Sequence, residues 1–132
     1  MRIALDSNRY TDLCRGVAGV PEIIENAAEV HVPLMVLAEQ RAGFAHGSSR
    51  EKNERVLTSF LNSPGVFVLA PDEQTTFFYA DVYAYLRKKG RPIPTNDLWI
   101  AALVIQHQLV LFDRDSDFDN LPQLGRVKLP RY

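Results

Sequence analysis

Apolar residues along this chain follow two rhythms. Short apolar-rich runs, "RIAL" at 2–5, "EVHV" at 29–32, "GVFVLA" at 65–70 and "LVLF" at 109–112, read as strands. All but "EVHV" lack the strict alternation of a sheet with one solvated face. Segments between them show helical spacing. "TDLCRG" and "VPEIIENAAE" predict short helices, with Gly16 and Gly19 between them. Pro33 suits the first turn of a helix, "PLMVLAEQRAGFAHG", which Gly47 stops. Ser48 or Ser49 can cap the next helix, "REKNERVLTSFLN", whose apolar stripe is Val56 and Phe60, with Leu57 as a candidate third member. Asp72 caps a long helix reaching Lys89, on which Phe78, Val82, Tyr85 and Leu86 share a face. "GRPIP" is a loop, Thr95 or Asn96 starts a helix to about His107, and "GRVKL" at 125–129 is a last short strand.

Strands that alternate with helices and stay apolar throughout argue for parallel pairing buried on both faces. The expected fold class is α/β, a three-layer α/β/α sandwich around a mostly parallel sheet of about five short strands. No repeat, low-complexity tract or linker interrupts the chain, so residues 1–132 are expected to form a single domain.

Composition narrows the chemistry. Sixteen acidic and fifteen basic residues leave a net charge of −1, so a nucleic-acid partner needs a local basic patch or metal ions. Cys14 is the single cysteine, which excludes an internal disulfide and fits a reducing cytoplasm. The longest apolar run, Leu98 to Ile105, is far short of the ~20 residues that span a bilayer. No apolar signal region precedes Asp6. A soluble cytoplasmic protein with no membrane partner is expected.

In open parallel sheets the site lies at the carboxyl ends of the strands. Asp6 ends the first strand there. Glu39 falls in the first two turns of the helix after strand two, on a face with Met35, Ala42 and Gly43. Asp97 opens the helix before strand four, and Asp113 and Asp115 follow that strand. Each has a plain alternative: an Asx turn or helix cap for Asp6, a dipole partner for Asp97, a solvated loop for Asp113 to Asp119. Glu39 resists one, because it interrupts an apolar face and acids are seldom buried unpaired.

Clustered carboxylates repel one another unless protons or a cation neutralise them. No Lys or Arg is adjacent to Asp6, Glu39 or Asp97. An all-oxygen set favours Mg²⁺ or Mn²⁺ over zinc, and His31, His46 and His107 show no ligand spacing. The alternating aspartates from Asp113 do not make a calcium loop, since Phe118 and Leu124 stand where it needs Gly and Glu. Such a cluster suits metal-assisted phosphodiester hydrolysis.

Four pieces in order, "ALDSN" at 4–8, "PLMVLAEQRAGF" at 33–44, "NDLWIAALV" at 96–104 and "DRDSDFDNLPQL" at 113–124, give the chain a resemblance to PIN-domain ribonucleases of the VapC toxin type along nearly its whole length. That resemblance implies Asp6, Glu39, Asp97 and Asp115 as the metal-binding acids, with Asn8 beside them. It also implies Mg²⁺- or Mn²⁺-dependent RNA cleavage, a homodimer and a small cognate antitoxin. Asp113 stands where that family usually has Thr or Ser, and Gln123 where it usually has Gly. Strand position nominates Asp113 as fourth ligand, because it follows "LVLF" as Asp6 follows "RIAL". Alignment on Phe118 nominates Asp115, leaves Asp113 as an outer acceptor and leaves Asp117 and Asp119 mostly solvated.

Candidate phosphate contacts are Arg87, Lys88, Lys89 and Arg91, just before Asp97, and Arg114 among the aspartates. The same residues could simply complement a helix end. Other classes fit less well: a haloacid-dehalogenase-type phosphatase needs a second Asp where Asn8 stands, and no Gly-rich phosphate loop exists. The alternatives that remain are a catalytically idle domain binding RNA or protein, and a housekeeping nuclease.

Overall fold

The computed structural model describes residues 1–129; residues 130–132, the last of the expected domain, lie outside the described residues. Its strands are β1 (Arg2–Leu5), β2 (Glu29–Pro33), β3 (Val66–Leu69) and β4 (Val110–Phe112). The helices are α1 (Ser7–Arg15), α2 (Val20–Asn26), α3 (Leu34–His46), α4 (Arg50–Leu61), α5 (Thr75–Lys89) and α6 (Thr95–Gln106). A 3₁₀ turn spans Ser116–Asn120.

All pairings are parallel, in the order β3-β2-β1-β4. Ile3 is opposite both Val30 and Val110, and Leu5 is opposite Phe112. The chain steps outward from β1 to β2 to β3, then returns to the far side of β1 for β4. With right-handed crossovers, α1 to α4 cover one face and α5 and α6 the other, which makes three layers. The reversal also leaves a crevice between the carboxyl ends of β1 and β4, the place where such sheets bind ligands.

Burial explains the unalternating runs. Ile3, Ala4 and Leu5 on central β1 are wholly buried, as are Leu111 and Phe112 on β4. Edge strand β3 departs from that rule, since Phe67 and Val68 are each 47% exposed. Helix α5 buries Val82 and Leu86, with Phe78 and Tyr85 half-buried beside them. Asp72 closes the turn ahead of this helix rather than capping it: its Oδ1 accepts the Thr75 N–H at 3.0 Å, while the N-cap position is Gln74. Gly90 stops it in the left-handed region (φ 68°), which sends the chain through "GRPIP" to α6.

Three expectations change. "GRVKL" makes no strand; it touches β4 through one parallel bridge, Leu111 to Arg126, so the sheet has four strands among the described residues. β4 itself is only three residues long, which leaves little to pair with. On α4 the inward residue is Leu57 (1% exposed), whereas Val56 is 46% exposed. The helix is turned so that Leu57, Phe60 and Leu61 meet the core at i, i+3 and i+4. Pro33 ends β2 and precedes α3 rather than sitting in its first turn.

Candidate metal centre

Each acid in the crevice is set by a different element. Asp6 follows β1 and is 4% exposed. Its backbone carbonyl accepts the Arg9 and Tyr10 N–H groups and so begins α1, while its side chain makes no capping hydrogen bond. The carboxylate is therefore not spent on the helix. Its own N–H donates to the Phe112 carbonyl at 3.1 Å, which locks it beside the end of β4.

Asp97 lies in the first turn of α6 and is 8% exposed. A helix N-terminus should favour its ionised form. Burial instead pushes its pKa up to about 7, helped by the charges of Asp115, Asp6, Asp117 and Glu39. Asp6 is pushed up to about 6, first by burial, partly offset by the Ser7 N–H, and then by Glu39, Asp113 and Asp115. A dipole partner alone does not account for Asp97.

Glu39 corrects an expectation. It is exposed at the rim of the crevice rather than buried. The Asn96 amide donates to its Oε1 at 3.4 Å, and its carboxyl is raised by partial burial, against that hydrogen bond, and by Asp115. Asn96, read from the sequence only as a candidate helix start, thus ties the start of α6 to α3. Gln40 does the same between α3 and α1, donating to Ser7 Oγ at 2.7 Å and to the Ser7 carbonyl at 3.1 Å. Asn8 is exposed on the first turn of α1.

After β4 the loop separates two neighbouring aspartates. Asp113 is fully buried at its side chain and forms a two-point ion pair with Arg126, at 3.0 Å from Nε and 2.6 Å from Nη2. Its Oδ2 also accepts the Asp115 N–H at 3.0 Å. Asp115 faces the crevice, and its Oδ1 accepts the Asp117 N–H at 2.9 Å, which starts the 3₁₀ turn. Asp97, Asp115 and Asp117 each place a carboxylate oxygen within 4.8 Å of the others. Asp117 is thereby half-buried and part of the cluster, not solvated. Asp119 is the exposed one, at 67% of its side chain, and it pairs with Arg126.

The basic residues divide as well. Arg87, Lys88 and Lys89 form the exposed last turn of α5, and Arg91 is exposed just beyond it. Arg114 is committed to Asp12, donating at 2.9 and 3.3 Å. Buried Arg9 shares Asp12, lies over the Phe112 ring at 5.0 Å and donates to the Asp113 carbonyl at 3.2 Å. Burial of Asp12 opposes its ionisation, but Arg114 and Arg9 prevail and hold it below the usual carboxylate range. A cavity of about 330 Å³, with Tyr83, Arg87, Ile93 and Leu98 in its wall, lies between α5 and the start of α6.

Three carboxylate oxygens this close, with two further acids facing them, repel one another unless protons or a cation neutralise them. Hard oxygen donors, no sulfur and no imidazole fit Mg²⁺ or Mn²⁺. His31 lies elsewhere: it stacks on Phe67 and sits 3.2 Å from the Glu29 carboxylate.

A parallel sheet between two helical layers, with an acidic crevice at its switch point, defines a class of acidic-site α/β domains. The PIN domain family model matches residues 16–124, and the chain belongs to this family. Asp6 lies ahead of that match. Curated relatives include "Ribonuclease VapC5" of Mycobacterium tuberculosis, 26% identical over 98% of this chain and 88% of the relative. "Toxin FitB" of Neisseria gonorrhoeae is 32% identical over 67% of this chain and 66% of the relative. Among solved structures, VapBC2 from Rickettsia felis, bound to a DNA fragment from its promoter, superposes with a TM-score of 0.85, covering 98% of this chain and all of that one at 24% identity.

Proposed function

We propose that the protein is a metal-dependent endoribonuclease, and the toxin of a toxin–antitoxin pair. One observation carries the catalytic reading: Asp97, Asp115 and Asp117 converge at the β1/β4 crevice, within reach of Asp6 and Glu39. These acids come from four separate stretches of chain, and holding them together costs electrostatic energy that a passive surface has no reason to spend. Relatives named as ribonucleases and as a toxin support the substrate and the role.

Mg²⁺ or Mn²⁺, when bound, lowers the pKa of a water and offsets the charge of the scissile phosphate. Asp97, Asp115 and Asp117 would hold the ion, with Asp6 completing the set from β1. Glu39, at the open rim and steadied by Asn96, orients the attacking water and takes its proton. The water oxygen bonds to phosphorus, the bond to the ribose oxygen breaks, and that oxygen leaves as the alcohol by taking a proton from solvent. The exposed turn Arg87–Lys89 with Arg91 supplies phosphate contacts along the approach. Arg114, held by Asp12, contributes less.

A small antitoxin, expected to offer an Arg or Lys to the acids, and a homodimer complete the proposal. Purified protein should cut RNA in Mg²⁺ or Mn²⁺ and stop in EDTA, and co-expression with a short open reading frame found next to its own should suppress the activity. Cleavage that persists in EDTA sinks the metal reading. Lack of inhibition by that gene product leaves a housekeeping nuclease as the better description.

A further inference from the structure

Arg126 holds no metal and touches no substrate in the proposed reaction, yet its guanidinium grips the acid loop at several points. Its Nε and Nη2 take both oxygens of Asp113, Nη2 also reaches the Asp115 carbonyl at 3.1 Å, and Nη1 pairs with Asp119. Those three residues alternate with Arg114 and Asp117 along one loop. Asp113 in turn accepts the Asp115 N–H. Asp115 is thus held at its N–H through Asp113 and at its carbonyl directly, and only its side chain is left to face Asp97. A planar fork can hold such a set of oxygens; a single ammonium cannot.

We infer that Arg126 is a positioning residue that holds Asp113 in an ion pair outside the close cluster and presents Asp115 and Asp117 to the metal. The inference rests on the metal-centre reading of the same acids. It also explains why "LVLF" can be followed by two aspartates of which only one enters the cluster: the first is neutralised from behind. Arg126 gets there because the Leu111 to Arg126 bridge fixes residue 126 alongside β4. Arg9, donating to the Asp113 carbonyl, holds the loop from the opposite side.

Position and electric field make opposite predictions. If Arg126 acts only through its charge, its removal makes the crevice more negative and tightens Mn²⁺ binding. If it acts by position, removal loosens the loop and weakens binding, on the order of the tenfold that outer partners of metal ligands are worth. Mn²⁺ titration of full-length wild type and Arg126→Gln by EPR, corrected for the folded fraction by circular dichroism, separates them. About tenfold weaker binding by the folded variant is expected. Binding as tight as wild type, or tighter, overturns the inference, whatever happens to thermal stability. Should the Gln variant not fold, Arg126→Lys decides, because it keeps the charge and loses the fork: binding at least about threefold weaker supports the inference and unchanged binding overturns it. Wild type that binds no Mn²⁺ overturns the metal-centre reading itself, which is a different failure.

Discussion

Gln40 donates a hydrogen bond to Ser7 Oγ at 2.7 Å, and each is the immediate neighbour of an acid of the cluster, Glu39 and Asp6. The same device recurs where Asn96, beside Asp97, donates to Glu39. Carboxylates that repel one another are held together by neutral amides one residue away. These amides add no charge to the crevice, so the repulsion between its carboxylates is left in place.

That repulsion sets the first prediction. Asp6 and Asp97 have folded-state pKa values of about 6 and about 7, against 3.8 for the free side chain. The folded protein therefore holds more protons than the unfolded one between roughly pH 4 and 7, and stability must fall as pH rises through that window. Metal-free protein should melt several degrees higher at pH 5 than at pH 8. Saturating Mg²⁺ or Mn²⁺ should restore the loss at pH 8. A melting temperature that rises from pH 5 to pH 8 in EDTA would contradict the repulsion.

Glu39→Gln tests the rim. Glu39 is exposed and feels Asp115, and a glutamine can still accept from Asn96. Metal-free stability should be unchanged or higher, within about 0.5 kcal/mol, as for other surface substitutions. Cleavage should be lost. Strong destabilisation with activity retained would make Glu39 a structural hydrogen-bond partner instead.

The three loop aspartates should separate by kind of damage. Asp115→Asn and Asp117→Asn should weaken Mn²⁺ binding and activity, because both belong to the close cluster. Asp113→Asn should instead lower stability by about 2–3 kcal/mol, since it leaves Arg126 without its buried partner; the figure sits below the fully buried range because the Arg126 side chain is 25% exposed. Urea melts beside Mn²⁺ titrations read both effects. An Asp113→Asn variant of normal stability that no longer binds Mn²⁺ would show that strand position was the better guide to the ligand.

Much of this was legible in the chain, and the exceptions have physical causes. Apolar runs announced β1 and β4, because parallel strands between helices are buried on both faces, whereas β2 alternates half-buried Glu29 and His31 with buried Val30 and Val32. The same reasoning overreached at β3, which is an edge, and at "GRVKL", where pattern cannot show that β4 is too short to support a neighbour. Asp6 and Asp97 were nominated by their places at strand and helix ends and Asp115 by the family resemblance against strand position, which favoured Asp113; the structure brings Asp6, Asp97 and Asp115 to one crevice. Glu39 was expected to be buried because its helix neighbours are apolar or small, but that helix face opens onto the crevice. Asp117, Asn96, Gln40 and Arg126 were missed or misplaced for one reason: their roles depend on contacts across the fold or on the 3₁₀ turn that folds the loop back. An arginine in "GRVKL", thirteen residues after Asp113, was the only signal for that pair.

The basic turn after α5 yields a prediction about substrate. Lys88, Lys89 and Arg91 are exposed, whereas Arg114 is tied to Asp12. Lys88→Gln/Lys89→Gln should weaken RNA binding and lower its dependence on salt by roughly one counterion for each phosphate no longer neutralised. Arg114→Gln should change the salt dependence little and lower stability instead. Equal salt slopes for wild type and the double variant would leave the turn as a helix cap.

Metal-dependent catalysis by converging carboxylates is most directly tested at Asp97, whose carboxyl feels Asp6, Glu39, Asp115 and Asp117 together. The measurement is RNA cleavage by wild type and Asp97→Asn across a Mn²⁺ titration, with melting temperature recorded on the same samples. The expected result is cleavage by wild type that depends on Mn²⁺, and none by the variant at any concentration, with the variant as stable as metal-free wild type or more so. Undiminished cleavage by Asp97→Asn, or by wild type in EDTA, would contradict it.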